Sequence, residues 1–158
     1  MCCEHREPVF LTSDVAGWLA DSLRAESVRG QFIVDAFCVM PDHLHFLALG
    51  MTPSCKLLAF AKSFRQKLAY LYQKEHGFGL WQKNFYDHVL RTGETSNKVA
   101  SYSWMKPVRK GLCNNFEDYS YSGSFTRPWK ISGGAEIWTS PWKKTKDARL
   151  KAGATGTP

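Results

Sequence analysis

Thirteen residues, Phe37 to Leu49, constrain this chain more than any others. They read FCVMPDHLHFLAL: an apolar run, a Pro-Asp pair, then two histidines separated by one leucine. Alternate side chains of a β-strand point to opposite faces, so His43 and His45 project together while Leu44 points the other way. Pro41–Asp42 supplies a bend between a strand over Gln31–Met40, rich in Phe, Ile and Val, and a second over His43–Leu49. Two imidazoles side by side at the end of a buried strand are a ready pair of ligands for one divalent metal ion. A strand that simply carries two satisfied histidines is the plainer alternative, and a motif this short does not decide between them.

Helical patterns flank this hairpin. Thr12 and Ser13 are good N-caps, and Val15, Trp18, Leu19 and Leu23 recur at helical spacing, which predicts a helix over Ser13–Glu26. Pro53 and its polar neighbours break the chain after Gly50. The longest helix is then predicted over Ser54–Glu75, with Leu57, Phe60, Ala61, Phe64, Leu68 and Leu71 on one stripe and Gly77 at its end. Much of its remaining surface is basic, including Lys62 and Arg65. Trp81 and Gln82 lie in a loop, and Phe85–Leu90 alternates as a strand with Tyr86, His88 and Leu90 on one face. Thr95 caps a further helix over Ser96–Met105, which contains Tyr102 and is expected to stop before Pro107. The organisation expected is one domain over 1–130 and a basic, flexible tail over 131–158, where Gly, Lys and Thr dominate.

Charge separates the two ends of the chain. Residues 1–50 carry 3 Lys/Arg against 7 Asp/Glu, whereas residues 51–158 carry 18 against 7. A basic two-thirds after an acidic third points to a polyanionic partner, most simply nucleic acid, and a merely soluble basic surface is the alternative. No apolar run approaches the ~20 residues of a membrane span. The polar Met1–Arg6 segment lacks the apolar region of a signal peptide. Five cysteines, an odd number with no Cys-x-x-Cys pair, fit a reducing cytoplasm better than a disulfide framework.

Three segments carry a resemblance. VMPDHLHFL at Val39–Leu47, LWQKNFYDHVLR at Leu80–Arg91 and YSWMKPVRKGL at Tyr102–Leu112 resemble, in order and spacing, the small single-tyrosine transposases of the HUH (His-hydrophobe-His) nuclease superfamily. The branch they look like is that of the REP-associated tyrosine transposases. The resemblance implies an α+β fold, a ferredoxin-like sandwich whose antiparallel sheet carries the His-x-His strand, with helices on one face. It makes His43 and His45 ligands of Mg²⁺ or Mn²⁺ and Tyr102 the nucleophile of single-stranded DNA cleavage, through a covalent 5′-phosphotyrosine. It also implies hairpin DNA as partner, a homodimer, and a cytoplasmic, nucleoid-associated location.

The chain departs from the family pattern twice. Where relatives have an asparagine or glutamine one turn after the tyrosine to complete the metal site, this chain has Lys106. A protonated lysine has no lone pair, so an electrostatic role on the phosphate or tyrosine is the alternative, with Asp42 or His88 as other sources of a third ligand. Relatives also begin with a strand that Met1–Pro8 (MCCEHREP) is not expected to make, so the first strand of the sheet is expected to be missing, through an upstream start or decay of this copy. Lys62, Arg65, Arg91, Arg109 and Lys110 are candidates for phosphate neutralisation, and Trp81, Tyr86 and Trp104 for stacking on unpaired bases. Three functions follow: an active single-strand endonuclease and strand transferase, a catalytically decayed hairpin-binding protein, and a metal-binding structural protein without DNA.

Overall fold

The computed structural model describes residues 1–90 and 93–126, so Arg91 and the tail from 131 lie outside the described residues. The central hairpin is as the pattern predicts. Strand β1 (Phe32–Met40) and strand β2 (His43–Gly50) pair antiparallel across the two-residue Pro41–Asp42 turn, with Met40 opposite His43 and Cys38 opposite His45. The register shifts at Asp35, between Val34 and Ala36. A two-residue strand, β3 (Ser122–Gly123), pairs with the other edge of β1, giving the antiparallel order β2-β1-β3.

Helix α1 (Ser13–Gly30) and helix α2 (Leu57–His76) cover one face of this sheet. There Val34, Phe37, Val39 and Leu44 close a continuous core with Leu19, Leu23, Phe60, Phe64 and Leu68. Helix α1 runs four residues past its expected end. The reason is polar: Glu26, only 4% exposed, accepts hydrogen bonds from Arg29 (3.0 and 2.6 Å) and Ser63 (2.7 Å) and pairs with Lys67 at 3.5 Å. That network fastens the last turn of α1 to α2, which no apolar periodicity reports. Helix α2 begins at Leu57 rather than Ser54 because Thr52 to Cys55 close a turn of their own, with the Cys55 amide on the Thr52 carbonyl. It ends on Gly77 at φ +80°, the left-handed stop that glycine adopts without a Cβ clash.

The opposite face carries helix α3 (Ser96–Trp104), whose Ala100 and Trp104 pack on Ala36 and Leu47. The expectation of helices on one face therefore holds for the two long ones only. Thr95 caps α3 as expected, accepting from the Lys98 amide at 3.3 Å. Pro107 does not end the helical path; it lies in the first turn of helix α4 (Lys106–Arg109), where a missing N–H costs little. Amide bonds from Met105 to Ser101 and from Arg109 to Met105, both 3.0 Å, carry the i+4 spacing through the junction.

Two edges differ from expectation. Met1–Cys3 does pair with the sheet: Met1 and Leu44 exchange backbone bonds at 2.8 Å, and isolated bridges join Cys2 to His43 and Cys3 to Trp81. These residues occupy part of the edge that was expected to be bare, before the chain turns away over Glu4–Arg6. Phe85–Leu90, by contrast, forms no strand. The last backbone bond of this segment runs from the Gln82 amide to the Cys2 carbonyl (3.0 Å), and among the described residues no strand pairs with Phe85–Leu90; Tyr86 stands 85% exposed.

Candidate active site

His43 and His45 project from the α3 side of β2, since they share the parity of Leu47, which packs on Trp104. Their rings meet edge to face with centroids 4.7 Å apart. Asp42, the residue just before the pair, holds His43 by Nδ1 at 2.5 Å, and Arg6 grips the other Asp42 oxygen at 3.2 Å. Burial alone would raise the Asp42 carboxyl, but His43 and Arg6 outweigh it and hold it below its ordinary value. A carboxylate bonded to Nδ1 fixes the imidazole's tautomer and leaves Nε2 as the ligand nitrogen.

Burial, followed by the charge of Lys106, pushes His45 down to about 3, so its imidazole is neutral at physiological pH. His43 is also lowered, burial outweighing its bond to Asp42. The Nε2 of His45 is buried and has no hydrogen-bond partner. A polar atom left in that state costs about 1–3 kcal/mol, and a cation would satisfy it. The pair therefore fits two positions of a divalent ion. A third protein ligand is not assembled: among the described residues no group of three His, Cys, Asp or Glu could hold a metal. Asp42 is committed to His43 and Arg6, and His88 to Glu94 at 2.8 Å, so neither expected substitute takes that place.

Tyr102 lies on α3, 54% exposed. Two cations from the following turn stand over its ring, Lys106 with Nζ at 4.6 Å and Arg109 with Cζ at 4.5 Å from the centroid. The charge of Lys106 also reaches His45, so Lys106 lies between the histidine pair and the Tyr102 ring in its effects. Lys110 follows on the exposed surface.

The other candidate contacts separate from this group. Arg65 donates Nη2 to the Gln82 carbonyl, and Trp81 donates Nε1 to the Arg65 carbonyl at 3.1 Å while packing against Phe10 and Phe64. Both serve the join between α2 and the Leu80–Gln82 segment, where free phosphate and base contacts were expected. Trp104 is likewise interior, bonded to the Gly123 carbonyl at 3.2 Å. Lys62 is exposed on α2, which packs on the far face of the sheet from the histidines. Arg6 and Asp42 were not singled out as a positioning pair by sequence reasoning; the carboxylate directly before His-x-His was the available signal.

Comparison with known proteins adds independent support. A family model described as "Transposase IS200 like" matches residues 1–102, a span that includes both histidines and closes on Tyr102. A Haemophilus influenzae protein named as a REP-associated tyrosine transposase is 27% identical over 134 residues, covering 73% of this chain and 69% of that one. The fold also matches a solved REP-associated tyrosine transposase bound to a REP hairpin, with a TM-score of 0.64 at 17% identity over 86% of this chain and 82% of the other.

Proposed function

Since this chain belongs to the IS200-like transposase family, we propose that it is a single-strand DNA endonuclease and strand transferase that acts beside DNA hairpins through Tyr102. The observation that carries the reading is the convergence of Tyr102, Lys106 and the His43–His45 pair on one side of the sheet. Hairpin DNA as substrate is supported by the relative solved on a REP hairpin. The reading includes a homodimer, to be tested by sedimentation, and a location on the nucleoid.

In this reaction the Tyr102 oxygen attacks the phosphorus of a phosphodiester. The P–O3′ bond breaks, the phenol proton passes to solvent, and the departing 3′-oxygen takes up a proton. The strand stays joined to Tyr102 through its 5′-phosphate, and attack by a second 3′-hydroxyl releases it, so no nucleotide cofactor is needed. Lys106 and Arg109 bring fixed positive charge to the phosphate as it gains charge in the transition state. Asp42 and Arg6 keep the His43 ring in place. His43 and His45 would hold Mg²⁺ or Mn²⁺, which supplies Lewis-acid polarisation of a phosphoryl oxygen when bound.

Incubation with a hairpin-bearing single-stranded oligonucleotide, with Mg²⁺ or Mn²⁺ and then with EDTA, tests this. A covalent protein–DNA band on a denaturing gel, lost in Tyr102→Phe and in EDTA, is expected. Lys106, in the position of a third ligand, favours a second reading, a hairpin-binding protein that has lost the chemistry. Binding without an adduct on a substrate that an active relative cuts would select it.

A further inference from the structure

A pocket that the reaction above leaves unused lies at the edge of the α1–α2 core, between the Glu4–Arg6 turn and the end of α2. It holds about 330 Å³, a size that admits a small ligand. Its walls are apolar: Val9, Leu80, the Tyr72 ring and the half-exposed Phe78, which meets Tyr72 edge to face at 5.5 Å. Two carboxylates, of Glu4 and Glu7, line it as well. Glu7 has no ion pair among the described residues, and Glu4 reaches only the His5 imidazole, at 4.0 Å. Arg6, next in the same turn, is instead spent on Asp42 at 3.2 Å. Tyr72 is the member that packing does not explain. It lines the pocket while only 4% exposed, and its hydroxyl forms no hydrogen bond among the described residues. Burial first, then the charges of Cys3 and Glu7, push that hydroxyl above its ordinary value, so it stands within reach of the Glu7 charge. Gly79 completes the arrangement. A Cβ there would lie 2.9 Å from Glu4 Oε2, so the missing side chain is what lets the Glu4 carboxylate lie over this backbone.

We infer that this pocket binds a primary alkylammonium group, its charge among Glu4, Glu7 and the Tyr72 hydroxyl and its aliphatic stem along Val9, Leu80 and Phe78. An ammonium has three N–H donors and no acceptor, which matches two carboxylates and one hydroxyl oxygen. The Phe78 ring adds the attraction of an aromatic face for a cation. A bare metal ion would leave the apolar walls unused, and among the described residues no group of three His, Cys, Asp or Glu could hold one. The chain as a whole, at a formal net charge of +7, repels cations, so an amine is held here by local groups alone. The site does not depend on the proposed DNA chemistry. A free diamine and a lysine side chain of another protein carry the same group, and the two sources separate by experiment.

The test is calorimetric titration of the full chain, free of DNA, with putrescine and with a lysine blocked at its backbone amine and carboxyl. Butanol supplies the stem without the charge. Saturable binding of an amine is expected, and none of butanol. Tyr72→Phe keeps the ring and Glu7→Gln keeps the shape, and each should weaken binding about tenfold, the low end for a hydrogen bond to a charged group. Gly79→Ala should also weaken it, because the added methyl displaces the Glu4 carboxylate. In a Glu4→Ala background the same change should add nothing, since the displaced group is already gone. Urea midpoints establish that each variant is folded. Tighter binding of putrescine assigns the site to a free amine, and tighter binding of the blocked lysine assigns it to a partner's side chain. No saturable binding of either amine, or equal binding by the parent, Tyr72→Phe and Glu7→Gln, would overturn the site and leave the transferase reading untouched.

Discussion

The two faces of the sheet solve opposite problems. On the α1–α2 face a charge is buried and fully answered: Glu26 receives Arg29, Ser63 and Lys67, and the core around it is continuous. On the α3 face the account is left open. The Nε2 of His45 is buried without a partner, and Lys106 and Arg109 crowd one phenol ring with like charge, paired with no acid among the described residues. A fold shaped for stability alone would not leave both in place. The difference separates the part of the molecule that holds it together from the part to which the proposed function assigns the DNA. It also predicts that the two faces break independently.

The sharpest break is Tyr102→Phe. It should abolish the covalent adduct on hairpin DNA while leaving the urea midpoint within error of the parent, since the lost hydroxyl belongs to an exposed side chain. A large fall in stability would move Tyr102 from the open face to the structural one. The converse is Phe64→Ala. Phe64 is fully buried between Phe46 and Trp81, and its removal should cost about 3–5 kcal/mol in urea unfolding. Below the unfolding transition the adduct yield should persist.

The closed face also has a pH signature. Hydrogen bonds from Arg29 and Ser63 outweigh burial and hold the Glu26 carboxyl below its ordinary value. A depressed carboxylate stabilises the fold fully above its unfolded value, about pH 4.3, and loses that contribution as pH falls through the lower folded value. Glu26→Gln should cost about 2 kcal/mol at pH 7. The gap between parent and variant should narrow in urea titrations taken from pH 6 to pH 3. A constant gap would remove Glu26 as the source.

What could be read from sequence follows the same division. The hairpin, the α2 stripe, the Gly77 stop and the Thr95 cap were legible because each is a local pattern whose cause lies within a few residues. The end of α1 was not, because Glu26 is answered by Ser63 and Lys67 of another helix. Phe85–Leu90 has the alternation of a strand, but a strand also needs a partner edge, and alternation says nothing of one. Arg65 and Trp81 have the composition of a DNA contact and are instead bonded to the backbone of α2 and its neighbouring segment. At the site, the histidine pair was legible as a strand pattern, and Tyr102 and Lys106 were named only through the resemblance of three motifs to a family. The Arg6–Asp42 support was hidden because its members lie 36 residues apart.

The smallest expected effect sharpens the comparison most. Thr95 caps α3 through the Lys98 amide, so Thr95→Ala should cost about 1 kcal/mol. That loss falls on the helix that carries Tyr102 and barely touches the α1–α2 core. Hydrogen exchange should therefore speed up about fivefold at the α3 amides, with the α1 and α2 amides changed much less, if the α3 face opens as a unit of its own. Adduct formation should fall by a similar factor, because a frayed helix holds Tyr102 beside Lys106 for less of the time. Equal acceleration across both faces would mean that they unfold together, and the division between a holding face and a working face would then be one of chemistry alone.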